Sequence, residues 1–166
     1  MRYFLLYITL FLCGHQLMSQ STLSELLHTY NTRSVPYISV EELKMLKEKE
    51  QVYTFDAREA DEYAVSLIPA STFIGFSEFS EEMIAARFPD KDSLIVVYCS
   101  LGIRSEEIAE KLVKAGYSNV RNLYGGIFEW KNKGFEVVDS AGNKTDSVHT
   151  VSRVWGKWLK NGTKVY

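Results

Sequence analysis

Apolar positions along this chain come in compact blocks separated by stretches of helical periodicity. SLIVVY at 93–98 is a continuous apolar run, the pattern of a strand buried on both faces. Shorter blocks at 36–38, 52–56 (VYTFD), 73–74, 119–124 (NVRNLY) and 135–138 are further strand candidates. The segment from Ser39 opens with a helix-start signal and sets Leu43 and Leu46 against dense solvent charges. AREADEYA makes a helical turn or two, closed off by Pro69. A helix of about ten residues is predicted from Ser77, with Phe79, Met83, Ile84 and Phe88 at helical spacing. Another runs from Ser105 to Lys114, turns Ile108, Leu112 and Val113 inward and stops at Ala115-Gly116. After Gly125-Gly126, which suit a tight strand-to-helix turn, a last helix passes through Trp130, a core residue by size. Strands and helices alternating at this rhythm predict an α/β fold with a mostly parallel sheet and helices on both faces.

The two ends depart from that rhythm. Arg2, an apolar stretch from Tyr3 to Cys13 and the polar break at Gly14-His15-Gln16 have the layout of a secretory signal. The stretch is shorter than the roughly 20 apolar residues that a spanning helix needs. Residues 1–19 are therefore expected to be a removable signal, with export to the periplasm and no stable membrane anchor. A cytoplasmic protein with an apolar N-terminus is the alternative, as is lipidation at Cys13, which the preceding Leu12 disfavours. Residues 20–34 form a polar, weakly helical lead-in, 35–139 the domain, and 140–166 an extension whose Trp155, Trp158 and Leu159 are expected to pack on it. Partner binding is the other use for those tryptophans.

Composition narrows the function classes. With 166 residues, 46% of them hydrophobic, the chain is long enough for one domain with a core. A net charge of −2, without a basic run or interleaved aromatic stripe, gives no nucleic-acid surface. Only two cysteines occur, and removal of the signal would leave Cys99 alone. An unpaired thiol in an oxidising compartment is a liability unless it is buried or has a task.

The position of Cys99 bears on that choice. It is the first residue beyond the central apolar strand, where an open α/β sheet has its functional crevice. Ser100, Leu101, Gly102, Ile103 and Arg104 leave room only for a tight loop before the helix at Ser105. Such a loop turns backbone N–H groups toward its centre, and the helix N-terminus adds positive potential. Gly102 allows a positive φ, and Arg104 supplies a fixed charge. These features favour a reactive thiolate. A small buried hydrophobe is the competing use, and position alone does not separate them. His28 and His149 lie in polar flanking segments, so no cysteine–histidine pair is evident, and no histidine or cysteine cluster has metal spacing.

The stretch Cys99-Ser-Leu-Gly-Ile-Arg-Ser105 resembles the C-x-x-G-x-R-S loop of single-domain rhodanese-like sulfurtransferases. Asp56-Ala-Arg-Glu59 with Glu62-Tyr63 and Ile68-Pro69 is similar to the family's D-x-R-E…E-Y…H-I-P-G-A segment. Leu123-Tyr-Gly-Gly126 with Trp130 is similar to its L-x-G-G-x-x-x-W segment. Ser66-Leu67 stands where the family has Gly-His, and Ala70-Ser71 where it has Gly-Ala. The resemblance covers residues 35–139 and implies a three-layer α/β fold with a mostly parallel five-stranded sheet.

It also implies sulfur transfer through a Cys99 persulfide, from thiosulfate or an organic persulfide or thiosulfonate to a thiol or other thiophilic acceptor, without an organic or metal cofactor. Cys99 would be catalytic, while residues 100–104 and Arg58 would bind the anionic donor. Asp56 and Ser105 would support the loop. From the residues alone, Arg58 could equally form a structural ion pair, and Glu106 and Glu107 read as solvated caps on the helix dipole. Leu101 and Ile103 occupy positions where a cation could grip a dianion, and so either line an apolar mouth or pack beneath the loop. Two rival functions remain at this stage. A non-enzymatic persulfide carrier or docking module would have the same loop, whereas a cysteine phosphatase needs a loop one residue longer between cysteine and arginine.

Overall fold

The computed structural model describes residues 22–49 and 51–166; the expected signal at 1–19 lies outside them. Five short strands form one parallel sheet: β1 (Tyr37–Ile38), β2 (Tyr53–Asp56), β3 (Thr72–Phe73), β4 (Ile95–Tyr98) and β5 (Val120–Leu123), in the spatial order β1-β5-β4-β2-β3. β4 is central, pairing Val97 with Phe55 on one side and with Asn122 on the other.

The helices are α1 (Leu23–Tyr30), α2 (Val40–Glu48), α3 (Ala60–Val65), α4 (Glu81–Arg87), α5 (Arg104–Lys114) and α6 (Gly126–Asn132). Alternation along β4 divides them between the two faces of the sheet. Ile95 and Val97 pack with Ile84 of α4 and with Ile108, Ala109 and Leu112 of α5. Val96 and Tyr98 point the other way, to Val40 and Leu43 of α2 and Ile127 and Phe128 of α6. The three-layer fold therefore follows from a strand that is apolar on both sides.

Two predicted elements differ. The helix expected from Ser77 starts later, because Ser80 is its cap and accepts from the Met83 N–H, while the Ser77 hydroxyl donates to Glu59. The strand expected at 135–138 is β6 (Val137–Val138) and lies outside the main sheet, whose edge beside β5 is already taken by β1. Its backbone instead exchanges hydrogen bonds with Leu67 and pairs with β7 (Lys144–Thr145).

The C-terminal segment continues through β8 (Ser147–His149), α7 (Arg153–Gly156) and β9 (Thr163–Val165), with β8 and β9 paired in parallel. Val148 and Leu159 are fully buried in the same cluster as Val96 and Tyr98, and Trp155 and Trp158 pack against it. At the other end, Thr22 and Glu25 form a capping box on α1, and Leu27 is fully buried. Among the described residues no helix is long and apolar enough to cross a membrane.

Candidate active site

Cys99 follows β4 directly and is 2% exposed. The chain leaves the strand, curls through Ser100–Ile103 and enters α5 at Arg104. Gly102 has φ +102°, and its N–H donates to Cys99 Sγ at 3.1 Å. The Ser105 hydroxyl lies 3.5 Å from the same sulfur and donates to Asn122 Oδ1 at 2.7 Å. Ile103, the N-cap of α5, makes no side-chain cap, so no side chain competes for the helix's first N–H groups at that position.

Burial pushes the Cys99 thiol up, but the Arg104 charge, the Ser105 hydroxyl and the N–H groups of Ser105 and Leu101 outweigh it, and the thiol sits below its ordinary range. Iodoacetamide labelling of Cys99, followed on its own peptide, should therefore reach half-maximal rate below the value of about 8.5 typical of a free thiol. Labelling that still climbs steeply above that value would mean an unactivated cysteine.

Arg104 does not stand alone. Its guanidinium makes a bidentate pair with Glu62 of α3, at 2.6 and 2.8 Å, and Glu62 also accepts from the Ser100 hydroxyl at 2.8 Å. Burial raises the Glu62 carboxyl, but the Arg104 and Ser100 hydrogen bonds override it and keep it ionised. The sequence offered Glu62 only as part of a motif. The structure makes it the residue that locks both ends of the loop together, since Ser100 and Arg104 bracket it.

Arg58 departs from the expected donor-binding role. It is 0% exposed, with Nε and NH2 on the Asp56 carboxylate at 2.9 and 2.6 Å and NH2 also donating to the Ser66 carbonyl. Tyr98 donates to the same carboxylate at 2.5 Å. The Asp56–Arg58–Tyr98 cluster thus braces the ends of β2 and β4, and its guanidinium is absent from the pocket wall. A buried charge is stable only with its partner, so Asp56 and Arg58 form a structural ion pair.

Glu106 differs from the solvated cap expected of it: it is 2% exposed. Its carboxylate accepts from Tyr37 at 2.7 Å, Asn31 at 2.8 Å, Asn122 at 3.2 Å and the Arg33 N–H. Asn31 and Asn122 also donate to the Gly102 carbonyl, at 2.7 and 2.8 Å. The lead-in thereby fixes the back of the cysteine loop, a role that no local sequence signal announced. Tyr37 is pushed up to about 12 by burial and by its bond to Glu106.

A pocket of about 200 Å³ opens at the sulfur, lined by Cys99, Ser100, Leu101, Ile103, Arg104, Val151 and Trp155. Leu101 is 4% exposed and belongs chiefly to the core. Val151 and Trp155 come from the C-terminal segment and were not foreseen as pocket residues.

A parallel sheet flanked by helices, with a buried cysteine held in a tight loop at the end of its central strand, defines an α/β protein with an anion-favouring cysteine loop. The Rhodanese family, described as a Rhodanese-like domain, matches residues 39–133, and the chain belongs to it. It is 34% identical over 92 residues to the putative sulfurtransferase YtwF of Bacillus subtilis, covering 53% of this chain and 85% of that protein. It is 32% identical over 86 residues to the thiosulfate sulfurtransferase GlpE of Coxiella burnetii, covering 52% of this chain and 78% of that one. A tRNA uridine(34) hydroxylase of Sodalis glossinidius is 31% identical over 112 residues, or 65% of this chain, but the match spans only 32% of the hydroxylase. Among solved structures, a human single-domain sulfurtransferase superposes with a TM-score of 0.53 at 27% identity, over 59% of this chain and 96% of that one.

Proposed function

We propose that the protein is a sulfurtransferase in which Cys99 carries sulfur as a persulfide between a small sulfane donor and a thiol or other thiophilic acceptor. The observation behind this reading is the cysteine sulfur itself: it receives the Gly102 N–H at the mouth of a pocket, with the Ser105 hydroxyl 3.5 Å away and Arg104 on the same wall. The names of the YtwF and GlpE relatives point the same way.

In the first half-reaction the Cys99 thiolate attacks the outer sulfur of the donor. A new S–S bond forms, the donor's own bond to that sulfur breaks, and its electron pair leaves with sulfite, a sulfinate or a thiolate. The terminal persulfide sulfur is then the anion, and the loop N–H groups and Arg104 stabilise it. In the second half-reaction the acceptor thiolate attacks that outer sulfur and Cys99 leaves as a thiolate. The order is ping-pong. Glu62, Asn122 and Ser105 hold the loop in shape while the charge moves along the two sulfurs.

Intact-mass measurement after incubation with thiosulfate or an organic thiosulfonate tests the reading. The expected result is a gain of one sulfur atom on Cys99, lost again when a thiol acceptor is added. A mass that no donor changes would overturn the assignment. Retention of the sulfur in the presence of small thiols, with release only to a protein acceptor, would instead identify a persulfide carrier.

A further inference from the structure

The pocket at Cys99 has one wall that the matched family segment does not supply. Residues 39–133 contribute the cysteine loop, whereas Val151 and Trp155 come from the C-terminal segment. That wall is built with some backbone strain. Val151 has φ +64°, a left-handed conformation that β-branched residues rarely adopt. It is the centre of a three-residue turn in which the Ser152 N–H donates to the Thr150 carbonyl at 2.6 Å, the strained form of the γ-turn.

The turn is anchored on both sides. The Thr150 N–H and hydroxyl bond the Val165 carbonyl at 2.8 and 3.1 Å. Ser152 caps α7, accepting from the Trp155 N–H at 3.4 Å. Trp155 is steadied edge-on by Tyr30 of α1, with centroids 5.9 Å apart. A glycine would relieve the strain at position 151, yet the chain has valine there, 44% exposed and facing the pocket. Strained residues held in place by their surroundings gather at functional sites.

Charge on the pocket wall is sparse. Among the described residues Arg104 is its only cationic side chain, and that guanidinium is already paired with Glu62. A small dianion such as thiosulfate therefore meets one largely neutralised cation and an apolar surface made by Ile103, Val151 and Trp155.

We infer that the C-terminal segment is the donor-selecting wall of the site and that the preferred donor is an organic sulfane-sulfur compound whose apolar group lies against Val151 and Trp155. This inference rests on the sulfurtransferase reading. With a thiosulfonate, the Cys99 thiolate takes the outer sulfur as a persulfide anion and the organic sulfinate leaves. With an organic persulfide, a thiolate leaves. In both cases the electron pair of the broken bond departs with the organic group.

The test compares benzenethiosulfonate, methanethiosulfonate and thiosulfate on the full chain and on Val151→Gly, Trp155→Ala and Trp155→Phe. The parent should favour the benzene compound over the methane compound by about tenfold in kcat/KM, as burial of roughly 60 Å² of apolar surface would give. Trp155→Ala and Val151→Gly should each cut that ratio severalfold, and Trp155→Phe should restore much of it. Val151→Gly removes strain, so its melting temperature should not fall, which separates loss of the wall from loss of the fold. A parent with no preference between the two thiosulfonates, or a preference that survives both Val151→Gly and Trp155→Ala, would overturn the inference while leaving sulfur transfer intact. Failure of all three donors to load Cys99 would overturn the underlying reading and this inference with it.

Discussion

Cys99→Ser should lose sulfur transfer by at least about a thousandfold, the scale on which removal of a covalent nucleophile is felt. The loss follows from what the pocket lacks. A thiol with a lowered pKa is its own activated nucleophile, needing only the loop's N–H groups and positive charge to ionise. A serine hydroxyl must be deprotonated by a base as it attacks. Among the described residues no histidine or carboxylate lines this pocket, and the ionised carboxylate in the network, Glu62, is occupied by Arg104 and Ser100. The fold should tolerate the change, because the introduced hydroxyl oxygen can still accept from the Gly102 N–H, at a cost of about 1 kcal/mol. Steady-state transfer from thiosulfate or benzenethiosulfonate to a thiol, measured beside a thermal melt, checks both halves. Undiminished turnover by the serine variant would show that the sulfur passes through some other group.

Much of this arrangement was legible because it is local. A continuous apolar block, a cysteine at its carboxyl end and a tight loop before an amphipathic helix specify the strand, the crevice and the anion cradle within a dozen or so residues. Pairing between distant segments was not legible. Nothing in Tyr37–Ile38 states that it lies beside β5, and nothing in Val137–Val138 states that Leu67 is its partner. Buried polar residues were the harder case. Glu106 at a helix start has the pattern of a solvated dipole cap, and only the arrival of Asn31, Tyr37 and Asn122 from three other parts of the chain makes it a buried hub. Arg58 was ambiguous for the same reason. Its burial depends on Tyr98 and the Ser66 carbonyl, which are distant in the sequence or carry no side-chain signal. The pocket wall at Val151 gave no signal either, since a positive φ on valine contradicts local preference and is imposed by anchors at Val165 and α7.

Gly126→Ala should damage the site about as severely as loss of the cysteine, though by another route. α6 begins under the cysteine loop: the Ile127 and Phe128 N–H groups donate to the carbonyls of Cys99 and Ser100 at 2.9 and 3.1 Å. The first turn of α6 therefore satisfies the outward-facing carbonyls of the loop whose N–H groups face the sulfur, which orients the peptide planes of the cradle. That approach is possible only without a side chain at the helix start. A Cβ on Gly126 would run into the Cys99 carbonyl oxygen and stand 2.8 and 2.9 Å from the Ser100 carbonyl carbon and the Leu101 nitrogen, all backbone atoms with no rotamer to change. The position also has φ +55°, which adds a left-handed penalty of about 1 kcal/mol for alanine. Relief requires α6 or the loop to move, and α6 is held by Ile127, Phe128 and Trp130 in the core. We expect a loss of about 3 kcal/mol or more in stability, in the range of severe overpacking, and in any folded fraction a Cys99 thiol whose labelling inflection moves back up toward that of a free cysteine. Gly125→Ala provides the contrast. Its Cβ would run into Glu129 Cβ, which is fixed to the α6 backbone, so it too should lower stability, but it meets no atom of the cysteine loop, and its folded fraction should keep the low labelling inflection despite its own positive φ. If Gly126→Ala melts like the parent and labels with the parent's pH profile, then the close packing of α6 beneath the loop does not set the reactivity of Cys99.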